Sequence, residues 1–193
     1  MKRLNLPNKL TLLRVALVPG FVVFMMIESV FSSEAVPRII SAVLFLLCAL
    51  TDAVDGMIAR KRGLVTDLGK FLDPIADKFM IISAMMAFCA SSAYENIRLW
   101  VLIAGLIVVL RELAVTSLRL LMAGRQTVVA AALPGKLKTV TQTVFVAVAM
   151  LEPVIVPQSL VATYVTLALM VFMTLYSGFC YVKHYWPVLT QEI

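Results

Sequence analysis

Long apolar stretches separated by short polar ones dominate the chain. Six of them approach the roughly 20 residues that cross about 30 Å of hydrocarbon as a helix. They run over about 10–28, 37–60, 68–91, 98–122, 135–151 and 159–183. The breaks carry turn residues or charge: "ESVFSSEAVP", "KRGLVTD", "SSAYEN", "AGRQT" and "EPVIVPQ". The pattern predicts an all-α, polytopic membrane protein with six transmembrane helices, forming a single membrane domain over residues 1–193. At the N-terminus, Lys2 and Arg3, an apolar run and "SSEAV" imitate a cleavable signal. Arg14 interrupts that run, which then continues to Ile27, so a retained first helix is expected.

Composition strengthens the membrane reading. The chain is 62% hydrophobic with a mean hydropathy of +0.98, against roughly 45–50% apolar residues in soluble domains. Cys48, Cys89 and Cys180 all sit inside apolar runs without metal-ligand spacing, and read as packing residues. The net charge of +6 could suggest nucleic acid, but its distribution points to a bilayer instead. With the N-terminus inside, the external loops hold Glu28, Glu34, Arg38, Glu95, Arg98 and Glu152, so just two of the seventeen basic residues lie outside. That asymmetry obeys the positive-inside rule and places both termini in the cytoplasm. Trp186, Tyr181 and Tyr185 are expected to form an interfacial belt, with His184 beside them.

Against this background "DAVDGMIARKRGLVTDLGKFLDPIAD", residues 52–77, holds five aspartates, of which Asp52, Asp55, Asp73 and Asp77 lie in or beside membrane-length runs. A carboxylate at membrane depth costs about 3 kcal/mol or more, so such residues are usually functional. Asp52, Asp55, Gly56 and Ala59 share one helical face, and Gly69, Asp73 and Asp77 share another. Two helices thus aim two carboxylates each at one point. Glycine and alanine on the same faces let a bulky substrate approach. Asp67 falls off the face and reads as a solvated residue or helix cap. Oxygen-only ligands favour a hard ion, Mg²⁺, Mn²⁺ or Ca²⁺. Two ions would neutralise four carboxylates and suit phosphoryl transfer. A cation or proton transporter would use intramembrane acids as readily, but spans one, five and six carry no acid at midplane to continue a path.

The pattern Asp52-x2-Asp55-Gly56-x2-Ala59-Arg60-x8-Gly69-x3-Asp73-x3-Asp77 resembles, without departure, the signature of the CDP-alcohol phosphotransferase family. The resemblance implies six transmembrane helices, a homodimer, and displacement of CMP from a CDP-linked donor by a hydroxyl, with divalent metal. It assigns metal binding to Asp52, Asp55, Asp73 and Asp77, with Asp77 also the general base. It assigns the CDP moiety to Asp55, Gly56, Ala59, Arg60 and Gly69. "LPNKLTLLR" (6–14), "RE" (111–112) and "GKLKTVTQ" (135–142) resemble the branch that uses CDP-diacylglycerol and sn-glycerol 3-phosphate, although Leu110 stands where that branch often has alanine. The resemblance leaves inositol phosphate, phosphatidylglycerol and serine open as alternative acceptors.

A phosphorylated acceptor also follows from charge. Arg111 lies within a membrane run, Arg119 is eight residues on, and Lys136 and Lys138 open the next helix at the same end. Four converging cations exceed what a neutral acceptor requires, and Glu112 is placed to pair with one of them. Asn8 and Arg14 are placed either to reach the site or to anchor at lipid headgroups.

Overall fold

The computed structural model describes residues 5–27, 31, 33–62, 66–124 and 133–190. They form six helices: α1 (Leu6–Met26), α2 (Ala35–Arg62), α3 (Asp67–Ala90), α4 (Glu95–Gly124), α5 (Leu133–Ile155) and α6 (Val161–Thr190). A short 3₁₀ turn, Ser92–Tyr94, leads into α4. The described residues contain no strand. Each apolar run expected from the sequence lies within one helix or overlaps it, but several helices run further at their ends. An apolar run measures the hydrocarbon it crosses, whereas backbone hydrogen bonding continues into the polar flanks.

Among the described residues five helices are long and apolar enough to cross a membrane, within α1, α2, α4, α5 and α6. The remaining helix, α3, carries Asp73, Asp77 and Lys78 in its first half. Neighbours in sequence pack as pairs, α1 with α2 and α5 with α6. α3 lies against α1 and α4, while α2 meets α5 and α4 meets α6.

Aromatic edges organise the core. Phe21 of α1 meets Phe45 of α2 edge to face at 5.7 Å, and Phe88 of α3 contacts both Tyr94 at 4.7 Å and Phe145 of α5 at 5.9 Å. Ile97, Val101, Met150 and Met170 fill in around them, all buried. Conversely Leu50, Leu106, Leu110 and Phe172 each leave more than half of their surface outside. Large apolar side chains on the outside of a well-packed bundle suit lipid rather than water.

Two details differ from the sequence expectation. Tyr181 and Tyr185 are buried with Val115, Leu118 and Met122 between α4 and α6, so of the expected interfacial belt Trp186 alone faces outward. Periodicity explains this, because Tyr181 and Tyr185 are one turn apart on the face that α4 covers. Glu152, read as a loop residue, is buried near the end of α5 and caps α6. Its carboxylate accepts hydrogen bonds from the Thr163 amide (2.6 Å), the Thr163 hydroxyl (2.7 Å), the Ser159 hydroxyl (2.8 Å) and the Ala162 amide (2.9 Å). A carboxylate at a helix N-terminus satisfies otherwise unpaired N–H groups and complements the helix dipole.

Candidate active site

The acidic faces lie at the end of the bundle opposite Glu152, where α2 and α4 finish and α3 and α5 begin. Thr66 caps α3 by accepting from the Gly69 amide at 3.0 Å, which fixes where the second acidic face starts. Asp67 is exposed in the first turn of α3, as its position off the face implies.

One face of α1 organises this end. Asn8, Thr11 and Arg14, three residues apart, are buried at 4%, 1% and 0% exposure. The Asn8 side-chain oxygen accepts from the Thr66 hydroxyl at 2.9 Å. Thr11 donates to Asp73 at 2.8 Å, and Arg14 donates to Asp52 at 2.7 Å. These contacts answer the choice that the sequence left open: Asn8 and Arg14 turn inward to the acidic faces. Gly69 lies directly beneath, where an added Cβ would come within 3.1 Å of Asn8 Oδ1 and 3.2 Å of Thr66 Oγ1.

Asp52 and Asp77 line one cavity of about 240 Å³ between α2, α3 and α5, with Ala49, Met80 and Thr139. Gly56 follows one turn after Asp52, while the side chains of Asp55, Ala59 and Arg60 lie outside the described residues. Among the described residues no three acidic, histidine or cysteine side chains gather round one point. The described carboxylates do supply the chemistry of a hard-ion site, since Asp52, Asp73 and Asp77 offer oxygen alone. Two of them are held by α1. That donor set fits a hard divalent ion.

A second cavity, about 410 Å³, opens on the other side of Asp77. Arg111, Arg119, Lys136 and Lys138 all line it, so the four cations expected together do come together. Lys78 joins them, a residue that the sequence reading passed over although it adjoins Asp77. Each cation is held differently. Lys138 is buried and donates to Glu112 Oε1 at 2.5 Å. Arg111 donates to the same oxygen at 2.9 Å and to Ser177 at 2.6 Å. Arg119 donates to the Tyr181 hydroxyl at 2.7 Å, and the Tyr181 ring lies under both guanidinium groups, 5.6 Å from Arg111 and 5.2 Å from Arg119. Lys78 donates to Thr116 at 2.7 Å. Lys136 is exposed and makes no ion pair among the described residues. With Asp77 and Glu112 as the two carboxylates on this wall, the cavity carries five cations and an excess of positive charge.

An apolar groove of about 450 Å³ runs between α3 and α4, lined by residues such as Met85, Met86, Leu102 and Leu106. It offers nothing that would hold a phosphate. The chemistry is concentrated round Asp77, which both polar cavities share.

Comparison with known proteins gives the family. The family model described as CDP-alcohol phosphatidyltransferase matches residues 4–176. The CDP-diacylglycerol–glycerol-3-phosphate 3-phosphatidyltransferase of Bacillus subtilis (strain 168) is 40% identical over 195 residues, covering 96% of this chain and 97% of that protein. The protein of the same name from Wigglesworthia glossinidia brevipalpis is 38% identical over 72% of this chain and 73% of its own length. A probable phosphatidylglycerophosphate synthase of Mycobacterium tuberculosis (strain CDC 1551 / Oshkosh) is 37% identical over 92% of this chain and 80% of its own length.

Proposed function

Because the chain belongs to the CDP-alcohol phosphatidyltransferase family, we propose that it transfers the phosphatidyl group of CDP-diacylglycerol to sn-glycerol 3-phosphate, releasing CMP and phosphatidylglycerophosphate. The observation that carries the acceptor is the cavity of five cations beside Asp77. A dianionic phosphate suits that wall, whereas serine or another acceptor without a phosphomonoester would leave the excess charge unused.

Asp77 takes the proton of the acceptor's 1-hydroxyl. The freed oxygen attacks the β-phosphorus of the donor, and the bond from that phosphorus to the CMP oxygen breaks. Lys136 and Arg119, the exposed cations, meet the acceptor phosphate first. Arg111 and Lys138, tied through Glu112, form the fixed wall behind it. Arg60, with Asp55, Gly56, Ala59 and Gly69, holds the CDP moiety, and its planar guanidinium suits a phosphate. Two Mg²⁺ or Mn²⁺ ions, held by Asp52, Asp55, Asp73 and Asp77, would neutralise the donor diphosphate and stabilise the departing CMP.

The same reading makes residues 1–193 one domain with six crossings, α3 included. Support for that sixth crossing comes from Asp73 and Lys78, which turn inward to Thr11 and Thr116. It also puts both termini and the site on the cytoplasmic side of a bacterial inner membrane, in a homodimer whose acyl tails stay in lipid.

Purified protein given CDP-diacylglycerol, labelled glycerol 3-phosphate and Mg²⁺ should form a lipid-soluble product and CMP. Inositol phosphate, phosphatidylglycerol and serine should compete poorly, and preference for any of them would reassign the acceptor. Undiminished product after complete chelation, or with Asp77→Asn, would overturn the mechanism.

A further inference from the structure

Behind the cationic cavity lies a recess of about 10 Å³, the room of a single oxygen-sized group. Asp77, Lys78, Glu112 and Lys138 line both spaces, so the recess and the cavity share a wall. Three aliphatic side chains of α3 and α4 and the side chain of Gln142 close its inner end. Gln142 follows Lys138 by one turn of α5, about 6 Å deeper along the helix. It is 2% exposed, and its amide nitrogen has no hydrogen-bond partner. It also ends the segment "GKLKTVTQ", and the catalytic scheme above gives it no task.

A buried amide without a partner is destabilising, and buried polar groups are nearly always paired. The group that pairs with Gln142 must be small, neutral and able to accept. A phosphate is too large for the recess, and a methylene cannot accept. A hydroxyl fits, and its O–H can donate a hydrogen bond to a carboxylate. Glu112 uses Oε1 for Arg111 and Lys138, which leaves Oε2 for that bond.

We infer that this recess binds the secondary hydroxyl of the acceptor, with Gln142 donating to its oxygen and Glu112 accepting a hydrogen bond from its O–H. The inference rests on the glycerol 3-phosphate reading and deepens it. With the phosphate among the cations and the 1-hydroxyl at Asp77, the middle carbon lies between them, beside the residues that line both spaces. Gln142 is then a specificity-determining residue, selecting an acceptor with a hydroxyl next to the attacking carbon.

The test compares glycerol 3-phosphate with propane-1,3-diol monophosphate, which lacks that hydroxyl, using purified protein, CDP-diacylglycerol and Mg²⁺. Wild type should use the analogue with kcat/KM lower by about 10-fold or more, since buried polar groups built for a hydroxyl penalise its loss. Gln142→Met, close in size and without the amide, should lose activity on glycerol 3-phosphate and bring the ratio of the two acceptors near one. Gln142→Asn, which keeps the amide but retracts it, should fall between. Equal use of both acceptors by wild type overturns the inference, and that comparison needs no variant to fold. So does Gln142→Met lowering both acceptors alike, as a bound water or a purely structural amide would require. Absence of product from glycerol 3-phosphate itself overturns the acceptor reading as well, so the two failures are distinguishable.

Discussion

Arg14 of α1 reaches Asp52 of α2 at 2.7 Å, with the arginine fully buried and the aspartate half open to the cavity beyond. The pair joins a helix outside the acidic pattern to the first carboxylate of that pattern. Removing one partner of such a pair leaves the other charge uncompensated, which costs about 3–5 kcal/mol where both are buried and less here, because Asp52 stays partly open. Arg14→Ala should therefore lower the unfolding midpoint in detergent. In a double-mutant cycle with Asp52→Ala, the coupling should reach about 1–3 kcal/mol. Additive effects would show that the contact carries no stability.

Gly69 is the point where three segments meet, and the space for its missing side chain is already filled by Asn8 and Thr66. Gly69→Ala should displace Asn8 and loosen the cap on α3, at about 1–3 kcal/mol for overpacking. Activity should drop with stability, since the cap sets the position of Asp73 and Asp77. Adding Asn8→Ala, which removes the nearest obstructing oxygen, should recover part of the midpoint. No recovery would mean that Thr66, whose hydroxyl stays 3.2 Å from the added Cβ, and not Asn8, sets the crowding.

These two contacts show where sequence reading reaches its limit. Asp52, Gly69, Asp73 and Asp77 stand out because their spacing of three and four residues is local, and helix geometry converts it into faces. The partners of those residues are 38 and 62 positions away, at Arg14 and Thr11, and local periodicity carries no information on such pairings. Charge alone brought Arg111, Arg119, Lys136 and Lys138 to one end. It could not say that Tyr181 lies beneath two of them, because a tyrosine near a helix end reads equally as a lipid-interface residue. Lys78 escapes local pattern for a similar reason, as a lysine beside an acidic motif reads as a solvated neighbour, and its partner Thr116 stands 38 positions away.

Lys136 and Lys138 are two residues apart and should fail differently. Lys136 is exposed with no ion pair among the described residues, so Lys136→Ala should raise the acceptor KM about 10-fold, the loss of one charge-assisted contact, and leave the unfolding midpoint unchanged. Lys138 is buried against Glu112, so Lys138→Ala should lower the midpoint as well as kcat/KM. Measuring glycerol 3-phosphate kinetics and thermal unfolding for both variants checks the contrast. An unchanged KM in Lys136→Ala would remove that residue from the phosphate site.

At the far end of the bundle, Glu152 offers a control in which stability and chemistry separate. Its carboxylate receives the Ala162 and Thr163 amides and the Ser159 and Thr163 hydroxyls, all within 2.9 Å. Glu152→Ala leaves those donors without it at the start of α6, and losing a cap costs about 0.5–2 kcal/mol before the buried Thr163 hydroxyl is counted. The unfolding midpoint should fall, and Glu152→Gln, which keeps one acceptor oxygen, should fall less. Steady-state kinetics below the new midpoint should match wild type for both substrates, because α6 meets the acceptor cavity at its opposite end through Tyr181. A reduced kcat with an intact midpoint would mean that the α5–α6 turn communicates with the site, and would assign Glu152 a role beyond holding α6 in place.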